Sequence, residues 1–504
     1  MNKQDNNIWV GVEDLSNDPQ FLESAKQEFF ELPIADAMSQ DAEVIEDATK
    51  GSSRRDFLKY AGFSLTAATI AASCEIPVKK AIPYVVKPDA IVPGVAAYYA
   101  STYVRGGDYC SILVKTREGR PIKIEGNTMS SVTKGGTSAR VQASVLDLYD
   151  TARLRQPASV KGEATTKMTW GKLDKAAKAA FAKASQIRIV ANTLMSPSMK
   201  AAIADFTAAY PNTQVVTYDP VSVSGLLDAN EASFGKRVVP SYHFDKAEKI
   251  VSFGADFLGT WISPVEYASD FAKGRKGDSY KTLKMSRLYQ FESYMSLTGS
   301  NADNRVLVKP SEMGAATIAL YNEVAKKAGQ GTISGAKLSN AKATKAIKEI
   351  ANDLWASKGK SLVVSGSNDV NEQTVVNGIN NMLSSYGSTI DFGAYSNQRQ
   401  GSDAAIQALV KDMKGGKVGA VIVYGDANPA YDLPNSADFV AGMKKVDFSV
   451  SLNTMFNETS AACNHVAPDH HFLEAWGDVE PKNGSFSLVQ PTISPLFNTR
   501  SGLT

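Results

Sequence analysis

Cysteine is scarce, with Cys74, Cys110 and Cys463 the only three in 504 residues. Their separation excludes a thiol cluster of ordinary spacing, and their number excludes a disulfide scaffold. A charge excess is missing as well. The 54 Lys and Arg face 52 Asp and Glu, which removes the electrostatic case for a nucleic-acid partner. No apolar run reaches the roughly 20 residues that cross a bilayer as a helix; the longest goes from Tyr60 to Ser73. No GxGxxG fingerprint or P-loop opens a helix, so nucleotide binding of the common kinds has no support. A Gly-x-Ser-x-Gly elbow is also absent, which discounts a hydrolase triad. What remains is an ordinary globular composition, 43% apolar and 21% charged, long enough for about three or four domains.

Residues 1–50 hold twelve Asp or Glu against three Lys and read as an acidic N-terminal extension with short amphipathic pieces. A mostly disordered tail is the plainer alternative. The cluster Phe21, Leu22, Phe29, Phe30 and Leu32 argues for docking. Next come Ser53-Arg54-Arg55-Asp56-Phe57-Leu58-Lys59, the apolar run Tyr60 to Ser73, and Cys74. This order resembles a twin-arginine (Tat) export signal headed by Arg54 and Arg55. Ala71-Ala72-Ser73-Cys74 looks like a lipobox, with alanine where leucine is commoner, and makes Cys74 the candidate for acylation. Each buried methylene of an acyl chain would add roughly 0.8 kcal/mol to anchoring. Residues 51–74 are thus expected to be a Tat signal with a lipobox. They would place the protein at the periplasmic face of the inner membrane, Tat-exported and lipid-anchored, with a plain cysteine near a cleavage point as the alternative.

From Ile91 to Gly126 the texture turns to alternation, with Cys110 to Lys115, a turn at Glu118-Gly119-Arg120, and Ile122 to Glu125. That pattern predicts a β-hairpin, and 75–165 is expected to be a small β-rich domain. Beyond Trp170 short apolar strands alternate with helices: Ile187 to Val190, Gln214 to Thr217, Lys249 to Gly254, Ser361 to Gly366 and Val418 to Gly425. Such alternation is the signature of doubly wound parallel sheets. The expected fold class is α/β, a small β-rich N-terminal domain followed by Rossmann-like parallel-sheet domains. One of these is expected over 166–330, a second over 331–450, and 451–504 as a return segment to the first. Ligands of such sheets sit at the carboxyl ends of strands, at switch points, so Gly254, Gly366 and Gly425 mark candidate crevices. The Lys/Ala-rich segment Ala336 to Lys348 reads as a solvated helix.

The run Gly107 to Val114, followed by Gly119-Arg120-Pro121-Ile122-Lys123-Ile124-Glu125-Gly126-Asn127, is similar to the N-terminal hairpin of molybdopterin-guanine-dinucleotide oxidoreductases. After it come Gly135 to Ala143, Leu148 to Pro157 and Thr169 to Asp174. Weaker echoes follow at Gly254-Ala255-Asp256, Val308-Lys309-Pro310, Gly425 to Pro429, Glu458-Thr459 and Glu474-Ala475-Trp476-Gly477. They span about Tyr98 to Pro491, and their order carries the resemblance. It implies a molybdopterin oxidoreductase-like fold whose β-rich part is a degenerate iron-sulfur domain.

The departures carry as much information. In the cofactor-loaded family three hairpin cysteines and a fourth, in the arginine-containing motif, hold a four-iron cluster, which needs four thiolates. The corresponding positions here are Tyr103, Gly106, Cys110 and Ser138. One thiol remains, so no cluster is expected, and Cys110 reads as a small buried hydrophobe. The family's pterin loop appears as Lys309-Pro310-Ser311-Glu312-Met313, without its glycine and aspartate. Molybdenum lacks its usual thiolate, and Asp256 and Ser263 stay open as ligands of the non-cysteine type.

A Tat leader after an acidic extension, joined to a ligand-poor body, closely resembles the large subunit of alternative complex III, a quinol-oxidising assembly of Gram-negative respiratory membranes. That subunit commonly adds a ferredoxin-like half, and this chain is expected to end before the family's last domain. The resemblance implies a non-catalytic structural subunit with no cofactor of its own. Iron-sulfur clusters and haems would sit in partner regions or subunits, and the partners would be iron-sulfur, cytochrome c and quinol-binding membrane subunits. Left open are an exported molybdopterin-dependent oxidoreductase with a non-cysteine metal ligand, and a periplasmic binding module using a strand-end crevice.

Cys463, His465, Asp469, His470 and His471 form the densest group of potential metal ligands and would satisfy a tetrahedral zinc by type. Their spacing matches no zinc motif, and neighbouring extended side chains face opposite ways, so they read as a loop with incidental histidines. His243 reads as a surface or packed histidine. Trp170, Trp261 and Trp476 read as core or interface anchors.

Overall fold

The computed structural model describes residues 92, 94–276 and 285–502. The acidic extension, Arg54, Arg55 and Cys74 lie outside the described residues. Ala97–Arg105, Asp108–Arg117 and Arg120–Gly126 form a three-stranded antiparallel sheet. Its first turn is made by Gly106 and Gly107, both at positive φ (55° and 81°), the backbone that a two-residue hairpin of native twist requires. Ile112, Val114 and Ile124 are fully buried and pack on Val141 and Val145 of the helix Ala139–Asp147. Ser138 caps that helix by accepting the Val141 N–H, satisfying one of its orphan donors.

A seven-stranded sheet follows, in the order 164–167, 158–161, 465–466, 448–451, 420–424, 187–191, 213–217. The last five strands are parallel, and the 158–167 hairpin extends the edge antiparallel. The small β-rich domain was expected to extend to 165, but the segment Ala158–Lys161 pairs instead with the strand His465–Val466 of the parallel sheet. A second, wholly parallel sheet has the order 304–307, 287–292, 249–253, 361–365. The strand 361–365 therefore lies beside 249–253, whereas 420–424 lies beside 187–191. The two α/β units are interleaved along the chain rather than divided at 330/331. The physical reason is that an all-apolar run signals burial on both faces but not which neighbour supplies the ladder. A four-stranded antiparallel sheet, 485–489, 477–482, 390–396, 239–242, has no counterpart among the sequence expectations.

The helix expected over Ala336–Lys348 runs instead from Ala341 to Ala356, with Asn340 as its N-cap. It is not solvated all round. Ala343, Ile347, Ile350, Ala351 and Leu354 are buried, an i, i+4, i+7 stripe that the lysines of the opposite face obscured.

Each parallel sheet has a point where the strand order reverses. In the larger sheet it lies between 187–191 and 420–424, and in the smaller between 249–253 and 361–365. The smaller one is closed by the chain itself. A Cβ on Gly366 would lie 2.6 Å from the Gly254 carbonyl oxygen, and one on Gly225 would lie 2.2 Å from that of Asn368. Glycine at 225 and 366 is what lets these backbones touch.

Candidate functional site

The switch point of the larger sheet is open. A crevice of about 230 Å³ sits over the carboxyl ends of its central strands, where doubly wound sheets place their ligands. Asn192 and Thr193 follow the strand Ile187–Ala191, Tyr424, Gly425 and Asp426 end the strand Ala420–Tyr424, and Leu452 and Thr454 follow Phe448–Ser451. The opposite wall brings Val104, Arg105 and Gly106 from the small sheet, Asp469 to Phe472, Trp476 to Val479, and Ser501 with Gly502. Of the three glycine-ended strands, only that of Gly425 lines it.

Asp426 is held at φ 58°, a left-handed conformation that aspartate tolerates better than most residues. Its Oδ1 accepts the Thr454 N–H (2.9 Å) and hydroxyl (3.0 Å). Arg105 lies between two carboxylates, 2.8 Å from Asp147 and 3.5 Å from Asp426. Asp469 accepts the backbone N–H groups of His470 (2.7 Å) and Gly502 (2.9 Å). Burial pushes its carboxyl up to about 7, and the nearby Asp426 charge adds to the rise. His471 is held down to about 4, chiefly by burial and then by the Arg153 charge, so it is neutral. His470 is also lowered by burial, and its Nδ1 lies 2.6 Å from the Thr499 hydroxyl.

This loop is fastened from below by Arg153 and Glu474. The guanidinium donates to both carboxylate oxygens (3.1 and 2.7 Å). Glu474 also accepts the N–H groups of His471 and Leu496. Burial opposes its ionised form, and the bonds from Arg153, Leu496 and His471 outweigh that penalty and hold it below its ordinary value.

No family model matches the chain. It is 23% identical over 436 residues to the menaquinone reductase molybdopterin-binding-like subunit of Nitratidesulfovibrio vulgaris, an alignment covering 77% of this chain and 61% of that protein. Among solved structures it superposes on an acetylene hydratase from Pelobacter acetylenicus, a molybdopterin-oxidoreductase-type enzyme, with a TM-score of 0.61 and 12% identity, covering 80% of this chain and 67% of that one. The fold is molybdopterin oxidoreductase-like.

In this molybdopterin oxidoreductase-like chain the four cluster positions do not fit a four-iron cluster. Tyr103 is 2% exposed, and its ring packs edge-on against Phe472, centroids 5.5 Å apart. Cys110, directly opposite Tyr103 in the hairpin, is fully buried and points its Sγ at the Gly136 carbonyl (3.3 Å). Burial pushes that thiol up to about 11, and it is the one thiol among the four positions, where a four-iron cluster needs four. Ser138 is committed to its helix cap, and Gly106 contributes a turn. A buried phenol ring and one buried thiol stand opposite each other there.

A pterin dinucleotide fits no better. Its phosphates are anions, and the open crevice presents Asp147, Asp426 and Asp478 against Arg105, while the second switch point is filled by Gly225, Asn368, Gly254 and Gly366. The two alternative metal ligands are also engaged elsewhere. Asp256 accepts the N–H and hydroxyl of Thr298 (2.9 and 2.8 Å), and Ser263 accepts from Gln398 Nε2 (3.0 Å); neither lines the crevice. Lys309 leads into a single turn, Pro310–Glu312, ahead of the helix Met313–Ala328.

The other candidates are dispersed. His465 sits on a strand with its ring stacked on Phe448 (5.0 Å), and Cys463 is buried with its thiol pushed up to about 12 by desolvation. His470 and His471 belong to the crevice loop. Among the described residues no group of three or more His, Cys, Asp or Glu could hold a metal ion. His243 is half-buried and donates its backbone N–H to Thr389 (2.9 Å). Trp261 is a core residue, Trp170 donates its indole N–H to the Asn498 carbonyl (3.1 Å), and Trp476 is an exposed rim residue of the crevice. Sequence reasoning missed Arg105 and the Arg153–Glu474 pair, whose partners are far apart in sequence. The Gly425-Asp426 and Ala475-Trp476-Gly477 echoes and the group Asp469, His470 and His471 all fall on the crevice.

Proposed function

We propose that this chain is a non-catalytic, molybdopterin oxidoreductase-like subunit of a quinol-linked respiratory complex of the alternative complex III type. Its relative's name, a menaquinone reductase subunit described as molybdopterin-binding-like, supports the quinol-linked setting. The chain spans 61% of that relative's length, so the activity and partners of a whole complex enter only as part of this reading. The observation that carries the non-catalytic part is Tyr103, whose ring occupies the core between Cys110 and Phe472 where a cluster ligand would have to approach. The body contributes buried interface and the placement of redox centres carried by iron-sulfur and cytochrome c subunits beside a quinol-binding membrane subunit. Arg54 and Arg55 direct Tat export to the periplasmic face, and Cys74 carries the lipid.

Metal and pterin analysis of the protein purified from its native membranes tests the first part. The expected result is molybdenum, tungsten and pterin far below one per chain; a stoichiometric amount of either metal with pterin overturns it. Intact-mass spectrometry of the membrane-extracted chain tests the second. The expected mass begins at an acylated Cys74, and an unmodified Cys74 sinks the anchoring role.

A further inference from the structure

The mouth of the crevice continues into an apolar strip. Gly477–Lys482 and Ser485–Val489 form a hairpin in which Asp478 pairs with Leu488, so the two share a face, and Phe486 lies two residues away on that same face. Val479 and Val489 turn the other way, onto Tyr109, Val132 and Met195. Outward, Phe486, Leu488 and the adjoining Trp476 are 68%, 66% and 62% exposed. Trp476 and Asp478 also line the crevice, so strip and crevice are one continuous surface. The outer edge of Ser485–Val489 is already covered. The Thr102 hydroxyl donates to the Leu488 carbonyl and the Ser101 hydroxyl to that of Gln490, each at 2.9 Å. Strand addition there is blocked, and the side-chain face is what remains to bind.

The charge of the surface selects the occupant. Among the described residues, Asp147, Asp426 and Asp478 meet one cation, Arg105, which already bonds Asp147 and approaches Asp426, and Asp469 adds its charge only as pH rises through about 7. His470 and His471 are lowered by burial and add no compensating charge at neutral pH. An anionic lipid surface is repelled by such a rim, and exposed aromatics beside carboxylates suit a cation with apolar neighbours.

We propose that Trp476, Leu488 and Phe486, together with the acid-lined crevice, dock a segment of a partner subunit in which a lysine or arginine is flanked by apolar residues. The cation enters the crevice and the apolar residues cover the strip. This rests on the chain being a subunit of a complex.

The test uses the full chain in its native membranes, with a photo-reactive benzoylphenylalanine in place of Leu488. After irradiation, the cross-linked peptide is sequenced by mass spectrometry. The expected peptide comes from another subunit and has Lys or Arg next to apolar residues. A parallel triple variant, Trp476→Ser, Phe486→Ser and Leu488→Ser, changes only exposed positions. It is expected to retain its abundance while the partner subunits recovered with it fall about tenfold or more. With the complex intact, a cross-link to a second copy, to lipid or to a peptide without a cation, or no cross-link at all, overturns the docking surface and leaves the subunit reading standing. A triple variant that keeps all its partners does the same. A native chain recovered with no other subunit overturns both.

Discussion

Arg153 and Glu474, separated by 321 residues, form a two-pronged ion pair whose side chains are 1% and 0% exposed. The pair joins the end of the small β-rich region to the loop that walls the crevice. Glu474 also holds the backbone of His471 and Leu496, so one carboxylate positions both the loop and the C-terminal segment over it.

Removing one partner leaves the other charge buried and alone. Glu474→Ala is expected to destabilise the fold by about 3–5 kcal/mol, measured as a fall in the denaturant midpoint. The more modest Asp478→Asn, at a partly exposed site bonded by Ser196 and Ser198, is expected to cost about 1 kcal/mol. If the two variants lost similar amounts, Arg153–Glu474 would not be the fastening of the loop.

Asp469 makes stability depend on pH with an unusual sign. Its folded-state value is about 7, above the ordinary aspartate value of an unfolded chain, so between the two the folded state binds the proton more tightly. Stability from this group is therefore fully present below the unfolded value and is lost as pH rises through about 7. Asp469→Asn cannot ionise. It is expected to gain on the native protein as pH rises from 4 to 8, by on the order of 4 kcal/mol, read from thermal midpoints at each pH. A constant difference across that range would show that the carboxyl is not raised.

Tyr103 is buried in the core of the small sheet, its ring against Phe472. Tyr103→Ala leaves a hole beside Phe472, Ile112 and Leu148 and is expected to cost about 3–5 kcal/mol. A loss under about 1 kcal/mol would mean that the ring is not part of the core.

The closed switch point is expected to reject a methyl group. Gly366→Ala would set a Cβ 2.6 Å from a backbone oxygen that no rotamer change can move, and is expected to destabilise by about 1–3 kcal/mol. Gly425→Ala, with nothing within 4 Å but a positive φ of 74°, is expected to cost only about 1 kcal/mol from the backbone alone. Equal losses in the two would show that the glycine contact does not fill that crevice.

Local pattern was enough to read the first hairpin and the parallel strands, while the assignment of Tyr103, Gly106 and Ser138 to positions of lost thiols came from the family resemblance. Alternation, apolar runs and side-chain chemistry act over a few residues, and a donor that is absent from the sequence stays absent after folding. The helix Ala341–Ala356 was half legible, because its lysines showed and its buried stripe did not. Which strands share a sheet, why the Gly425 end is open while the Gly254 and Gly366 ends touch, and how Arg153 finds Glu474 were settled by the tertiary structure alone. Those outcomes depend on contacts between residues as many as 321 positions apart, whose free energy arises only when the whole core closes around them.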